Sequence, residues 1–472
     1  MVIEGCRNLD CSGVGRRRLA AARPLGLLSS SAPVTRAGDR GGTGVDAAVG
    51  GRRTVLDRRV TRPCCGEGVW PLAEPRGKRL TIIGGGVMGL MTAYHAAPLA
   101  AAVTVLERTR VGDPATASFC LTRSVRNDYL DPEYSRLAYE ARRLWLELQA
   151  QASEPLLIDC GCLNIAKNSV TPDLASTYAV RSFAVLEQLQ LRRQAFSAAE
   201  LRRRFPQFAA DVGRLDVDAG FIDVPAATRV LQEALRARGV RVQESAVVRG
   251  ITRSGRRWIV TTGSGDVVSD VLVITAGLGT NDVLGLLPGC SVRFPLRPDR
   301  PVQSKYFIPA AGVRGLFTER ALPVFAYLDV GIYGHPLYEG KTPGVKIGFY
   351  HPPDAILTKS RIASVEDFVA ECMPGLRGAE VVDVAEASGV DVCFYDLVGD
   401  DDFIIGPVPG VDDVFTGVGW RGTGYKFAPW VGRVLAQLAI QRGTVYDIHR
   451  FAPRRFAGRS AAGLAALGGT AS

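Results

Sequence analysis

Arg79-Leu80-Thr81-Ile82-Ile83-Gly84-Gly85-Gly86-Val87-Met88-Gly89 is the stretch on which the fold turns. A short β-rich apolar run, Arg79 to Ile83, meets a glycine cluster with the spacing Gly84-x-Gly86-x-x-Gly89. Val87 to Leu99 then reads as a helix, with Met88, Met91 and Ala93 able to share a buried side and Pro98 near its end. A second apolar strand, Val103-Thr104-Val105-Leu106, ends in Glu107, 18 residues past Gly89. Strand, glycine turn, helix, strand and acid occur in the order of a dinucleotide-binding unit. Each part has a physical task. Gly84 permits the tight turn, Gly86 lets the backbone approach a pyrophosphate, and Gly89 allows helix and strand to pack closely. The N–H groups at the helix start, around Val87 and Met88, face the phosphates. Glu107 is placed to accept hydrogen bonds from the adenosine ribose.

Upstream, residues 1–77 have a different composition. They hold thirteen arginines, no lysine and seven acidic residues, which accounts for +6 of the chain's net charge of +10. The remainder is close to neutral for its length, so the basic balance gives little reason to expect a polyanion partner. This extension shows no sustained periodicity and is expected to be a disordered tail or the product of a misplaced start codon. It lacks the apolar core of a secretory signal. Four of the ten cysteines (Cys6, Cys11, Cys64, Cys65) lie there. The other six are scattered and, with only four histidines, suggest reduced thiols and no metal site. No run approaches the ~20 apolar residues of a membrane span. A cytoplasmic protein, monomeric or weakly dimeric, is expected.

Downstream, the pattern leaves the simple alternation of a nicotinamide-dependent dehydrogenase. A helix-rich stretch around residues 132–150 and the strand-like Gly161–Ala166 intervene. Later, Arg241-Val242, Ala246-Val247-Val248, Trp258 to Thr262 and Val271 to Ile274 read as successive strands, the last running into Thr275-Ala276-Gly277. The expected fold class is α/β with an α+β second domain. A Rossmann-like FAD/NAD(P)-binding domain would be assembled from residues 78–150, 216–292 and 385–456. An antiparallel-sheet substrate domain would take residues 151–215 and 293–384, leaving 457–472 as a flexible tail.

Several separated motifs narrow the cofactor. Ser118-Phe119-Cys120-Leu121-Thr122-Arg123-Ser124-Val125-Arg126 forms an arginine segment, followed by Leu144-Trp145-Leu146-Glu147-Leu148 on a helix. Further on come Gly344-Val345-Lys346-Ile347-Gly348, then Phe368 to Gly375, then Val392-Cys393-Phe394-Tyr395 with Asp402 to Gly406, and finally Gly422-Thr423-Gly424-Tyr425-Lys426-Phe427. In this order, over roughly residues 78–456, they resemble the monomeric sarcosine oxidase group of the D-amino-acid-oxidase-like flavoproteins. Pipecolate, N-methyltryptophan, fructosyl-amino-acid and nikkomycin-type piperideine-carboxylate oxidases belong to the same group.

The resemblance implies FAD, tethered through Cys393 to the flavin 8α carbon. It also implies cofactor contacts at Arg108, Arg123, Val248, Ala276, Gly277, Gly422, Gly424 and Lys426. Lys346 would lie over the flavin and promote reaction with oxygen, while Arg126 and Lys426 would grip a substrate carboxylate. Tyr333 and Tyr395 would line the pocket. The residues alone leave plainer alternatives. Cys393 reads equally as a buried structural thiol, Lys346 as an outward-facing charge, and Arg126 as the partner of Asp128. Some positions depart from the family pattern. Phe119 and Cys120 replace paired histidines, Thr423 replaces another, Tyr350-His351 leaves a fourth displaced or absent, and Trp420-Arg421 replaces a smaller pair. These departures argue against sarcosine itself. The expected activity is oxidation of an N-methyl, cyclic or modified amino acid or other secondary amine. A hydride passes to flavin N5, an imine forms, and oxygen is reduced to hydrogen peroxide. The alternatives are a dehydrogenase passing electrons to a quinone or carrier protein, and an RNA-modifying flavoprotein.

Overall fold

A computed structural model describes residues 77–298, 304–349, 362–388 and 394–457. The amino-terminal extension up to residue 76, the tail from 458, and Tyr350, His351 and Cys393 lie outside them. The centre is a six-stranded sheet ordered Ile404–Pro407, Val414–Val418, Val271–Ile274, Arg79–Ile83, Ala102–Leu106, Arg241–Gln243. Only the first pair is antiparallel; the other neighbours run parallel. Arg79–Ile83 and Val271–Ile274 are buried almost throughout, as expected of parallel strands covered on both faces. Their register puts Ile83 beside both Leu106 and Ile274. The glycine turn, Glu107 and Thr275-Ala276-Gly277 therefore emerge together at the carboxyl edge, where open α/β sheets bind ligands.

Helices Val87–Ala96 and Ala428–Gln441 cross on one face of this sheet, with Val224–Ala237 beside them. The crossing is backbone-close. A Cβ on Gly432 would fall 2.5 Å from the carbonyl carbon of Met91, so only glycine lets the two helices approach this far. The sequence placed the first helix up to Leu99, and its regular part ends at Ala96, ahead of Pro98. On the other face lies a three-stranded meander, Val248–Ser254, Arg257–Thr262 and Gly265–Ser269. It closes an apolar cluster around Trp258, Leu272 and Ile274.

An eight-stranded sheet follows the order Glu380–Asp383, Ser304–Ile308, Val345–Phe349, Ile332–His335, Val324–Tyr327, Cys162–Ala166, Val212–Asp216, Arg193–Phe196. Its neighbours are antiparallel except Val324–Tyr327 with Cys162–Ala166, which run parallel. The two faces differ sharply. Phe307, Val345, Ile347, Phe325, Leu163 and Ile165 point into one apolar cluster. On the opposite face, strand pairing lines up Tyr306, Lys346 and His335 in one row, and Tyr333, Ala326, Asn164 and Arg214 in the next. Alternation along each strand turns these side chains, all polar but Ala326, away from the core. A small sheet of Thr122–Val125, Gly220–Asp223 and Leu157–Ile158 carries the arginine segment towards that polar face.

Candidate functional site

The glycine turn is a cradle that side chains would fill. Gly84 has φ 111°, in the region that favours glycine, and a Cβ there would sit 2.5 Å from the Thr275 carbonyl oxygen. A Cβ on Gly86 would meet Ser118 Oγ at 2.9 Å, and one on Gly89 would overlap the Gly84 carbonyl oxygen. The helix that begins at Val87 has no side-chain cap and no acidic residue in its first turn. Val87 donates its N–H to Ser118 Oγ at 3.0 Å. A helix start whose own N-cap residue, Gly86, supplies no side chain, set beside a glycine cradle, has the features that suit a phosphate. Glu107, 6% exposed, accepts from Gly85 N–H at 2.7 Å through Oε2, and from the Thr109 N–H at 3.0 Å through Oε1. The carboxylate is thus fixed against the turn, with acceptor capacity left for a ribose hydroxyl.

Lys346 sits on the polar face of the eight-stranded sheet and is 3% exposed. The side opposite Val345 and Ile347 is therefore a buried cavity wall, which excludes the outward-facing reading of this lysine. Its Nζ contacts Cys120 Sγ at 3.0 Å and lies 5.9 Å from the Tyr333 ring centre. Burial opposes charge on both partners, and their mutual attraction overcomes it. The Lys346 ammonium, with Arg123, brings the Cys120 thiol down to about 6, and the Cys120 thiol raises Lys346 above its ordinary value. His335, the cross-strand neighbour of Lys346, is buried, and its Nδ1 hydrogen-bonds with Thr122 Oγ1 at 2.7 Å. Burial and the nearby Lys346 and Arg123 charges push it well below the usual histidine range, so it is a neutral imidazole.

Arg126 and Lys426 meet across Tyr129. The guanidinium lies 4.6 Å and the ammonium 5.8 Å from that ring centre. Arg126 Nη1 donates to Asp128 Oδ1 at 2.6 Å, to the Asp128 carbonyl at 2.9 Å and to Tyr178 OH at 3.1 Å. Asp128 is buried and also accepts from Asn164. The ion pair anticipated as the plainer reading of Arg126 is therefore present. Arg126 also lines the cavity, and its Nε and Nη2 have no hydrogen-bond partner among the described residues. Lys426 differs, since among the described residues Nζ donates only to the Thr423 carbonyl, at 3.1 Å. Burial and then the Arg126 charge lower it to about 7.

The turn carrying Lys426 is held from behind. Trp145 Nε1 donates to the Lys426 carbonyl at 2.9 Å, and the Trp145 ring stacks on Tyr425. Gly422 has φ 70°, and the Tyr395 ring occupies the place of a Cβ, 2.5 Å away. Gly424 packs equally tightly on Trp420.

One cavity brings together Arg123, Arg126, Tyr333, Lys346, Tyr395, Gly422 and Lys426 from the expected set. Arg123 Nη2 is bound by the Ala117 and Phe119 carbonyls. A smaller cleft over the helix start includes Gly86 and Val87 and shares Tyr425 with the main cavity's lining. Met88 is buried and its side chain reaches Gly424. Arg108 is exposed beside Glu107, and Val248 begins the meander just after Ala246, whose N–H donates to the Glu107 carbonyl. Ala276 and Gly277 follow the strand end against which Gly84 packs. The sequence assigned no role to Cys120, His335 or Cys162. Cys120 was noted only as a departure from a family pattern. His335 follows Tyr333 by two, and that spacing on a strand was the available signal.

A family model described as "FAD dependent oxidoreductase" (DAO) matches residues 79–438. Human peroxisomal sarcosine oxidase is 29% identical over 392 residues, covering 79% of this chain and 95% of that protein. N-methyl-L-tryptophan oxidase of Yersinia pestis (strain Pestoides F) is 25% identical over 399 residues, 80% of this chain and 99% of that one. Among solved structures, L-proline dehydrogenase from P. horikoshii superposes with a TM-score of 0.66 at 18% identity, covering 81% of this chain and 98% of that chain. The open form of NikD, an amino acid oxidase of nikkomycin biosynthesis, gives 0.62 at 21% identity, over 80% and 98%. The glycine cradle, the sheet order and a family match over most of the chain agree: the chain belongs to the family of FAD-dependent oxidoreductases.

Proposed function

We propose that the chain oxidises a C–N bond of an amino acid or secondary amine that carries a carboxylate, with oxygen as the final acceptor and hydrogen peroxide as product. One observation carries the reading. The cavity is lined by Arg123, Arg126, Lys346 and Lys426, with no aspartate or glutamate among its described lining residues. Such a wall attracts an anion and disfavours a free cationic amine. The relatives named for sarcosine and N-methyl-L-tryptophan act on N-methylated amino acids, in keeping with that charge pattern.

The residues present fit FAD. The turn from Gly84 to Gly89 and the uncapped helix start suit a pyrophosphate, and Glu107 suits a ribose hydroxyl. Tyr425 lines both the cleft at that end and the cavity, whose wall includes Arg123, Gly422, Thr423 and Lys426. FAD, when bound, supplies the acceptor for a hydride equivalent and passes the electrons on. The chain's own side chains do the rest by placement. Arg126, through Nε and Nη2, and Lys426 hold the carboxylate. Tyr333 and Tyr395 confine the rest of the substrate, and Lys346 places a positive charge on the wall where oxygen reacts. A covalent link at Cys393, outside the described residues, belongs to the same proposal.

An amine-oxidation screen with peroxide detection, spanning N-methyl, cyclic and glycated amino acids, tests the reading. Peroxide released with a carboxylate-bearing amine, and none with its decarboxylated analogue, is the expected result. Reduction by substrate without peroxide would identify a dehydrogenase instead. Acid-precipitated protein should stay yellow and Cys393→Ala should not; a colourless wild-type pellet removes the covalent link.

A further inference from the structure

Among the described residues, Lys346 is a buried cation without a carboxylate partner. Among the described residues its hydrogen-bond partner is Cys120 Sγ at 3.0 Å, and it joins no ion pair with an acid. The titratable groups that face it come from every neighbouring element. Tyr306 and His335 flank it across the strands, Tyr333 lies 5.9 Å away, and Arg123 reaches in from the arginine segment, with Tyr425 near Cys120. Arg123 is a second cation, and His335 is neutral. Burial pushes the phenols of Tyr306 and Tyr425 upward, away from ionisation. A buried ammonium without an anion is strongly disfavoured. Among the described residues, the thiol is the group in hydrogen-bond contact with it that can ionise to supply the missing charge.

We propose that Cys120 is the anionic partner of Lys346, a buried thiolate that keeps the ammonium protonated and fixes its Nζ on the cavity wall. Cys120 is thus a positioning residue for the reaction proposed above, and only its consequence for oxygen rests on that reading. Proton transfer from Sγ to Nζ along the 3.0 Å contact creates the pair, with no other reactant. The direction in which each partner's acidity moves is in keeping with it. Between two cations, a thiolate is favoured by the same attraction that activates low-pKa cysteines elsewhere.

The test uses the flavin-loaded protein and follows ultraviolet thiolate absorbance against pH, so that bound flavin cancels between variants. The difference between wild type and Cys120→Ser should show one thiolate forming near pH 6. In Lys346→Met that titration should move to about 8.5 or higher, the ordinary thiol range, a shift of more than 100-fold in acidity. In single-turnover reoxidation, Cys120→Ser should slow the oxygen step at least tenfold with the amine KM unchanged, and Cys120→Asp should restore it. A wild-type thiol that ionises only in the ordinary range, or a titration indifferent to Lys346→Met, overturns the pair. If Cys120→Ser fails to fold, the Lys346→Met comparison decides alone. A thiolate near pH 6 in a protein that oxidises no amine upholds the pair and sinks the proposed function.

Discussion

Replacing Lys426 with methionine should move stability and ligand binding in opposite directions. Lys426 is 5% exposed, shares the Tyr129 ring with Arg126, and among the described residues donates only to the Thr423 carbonyl. Burial and the Arg126 charge lower it from 10.5 to about 7. Because the folded value of this cation lies below the unfolded one, the unfolded chain binds the extra proton between those limits. Stability therefore rises with pH from about 7 to about 10.5, and the penalty is fully present below about 7. At pH 7 its upper bound is ~4 kcal/mol, taking 1.36 kcal/mol per pKa unit. Methionine has similar volume and no charge, so Lys426→Met should raise the urea midpoint at pH 7 and remove the rise above it. The same change deletes a charge-assisted contact of about 1.5–3 kcal/mol to a bound carboxylate. The Kd of an unreactive carboxylate inhibitor should weaken roughly 10- to 150-fold. Urea unfolding at several pH values and inhibitor titration by flavin absorbance read both effects. A variant less stable than wild type at pH 7, or one that binds the carboxylate equally well, refutes the reasoning.

Gly89→Ala places a methyl group on the Gly84 carbonyl oxygen, so the purified protein should retain little or no flavin, as absorbance would show. Gly432→Ala drives a Cβ into the Met91 backbone and should lower stability by about 1–3 kcal/mol as an overpacking change, read by thermal unfolding with the catalytic constants of the folded fraction intact. Asp128→Asn leaves the Arg126 charge unpaired in a buried place. It should cost about 3–5 kcal/mol, and an added carboxylate ligand should stabilise the variant more than the wild type, since it replaces the lost anion.

What could be read from the chain was what is local. The glycine spacing, the two strands and Glu107 lie within a single βαβ unit, so their order alone specified the cradle. The fate of Lys346 was half legible. Alternation with Val345 and Ile347 set it on the other face of its strand, while solvent or cavity on that face depends on strands from elsewhere in the chain. Its contact with Cys120 spans 226 residues and leaves no periodic trace. His335 enters the site because its strand pairs with Lys346 in one register, and a pairing register is a tertiary property. The parallel meeting of Val324–Tyr327 with Cys162–Ala166 is equally non-local. The Arg126–Asp128 pair, two residues apart, was foreseeable as one of two readings. The structure adds that both can hold at once, because the pair occupies Nη1 and leaves Nε and Nη2 without a hydrogen-bond partner among the described residues.

The row Tyr306–Lys346–His335 also bears on how the chain finds its fold. In a strand with period two, a slip of one residue would swing Lys346 into the cluster of Phe307, Phe325 and Leu163 and bring Val345 or Ile347 out onto the polar wall. Burying an unpaired ammonium among those rings would cost several kcal/mol, more than most single contacts supply. The placement of this lysine therefore favours the native register over its one-residue neighbours, whatever part it plays in the site.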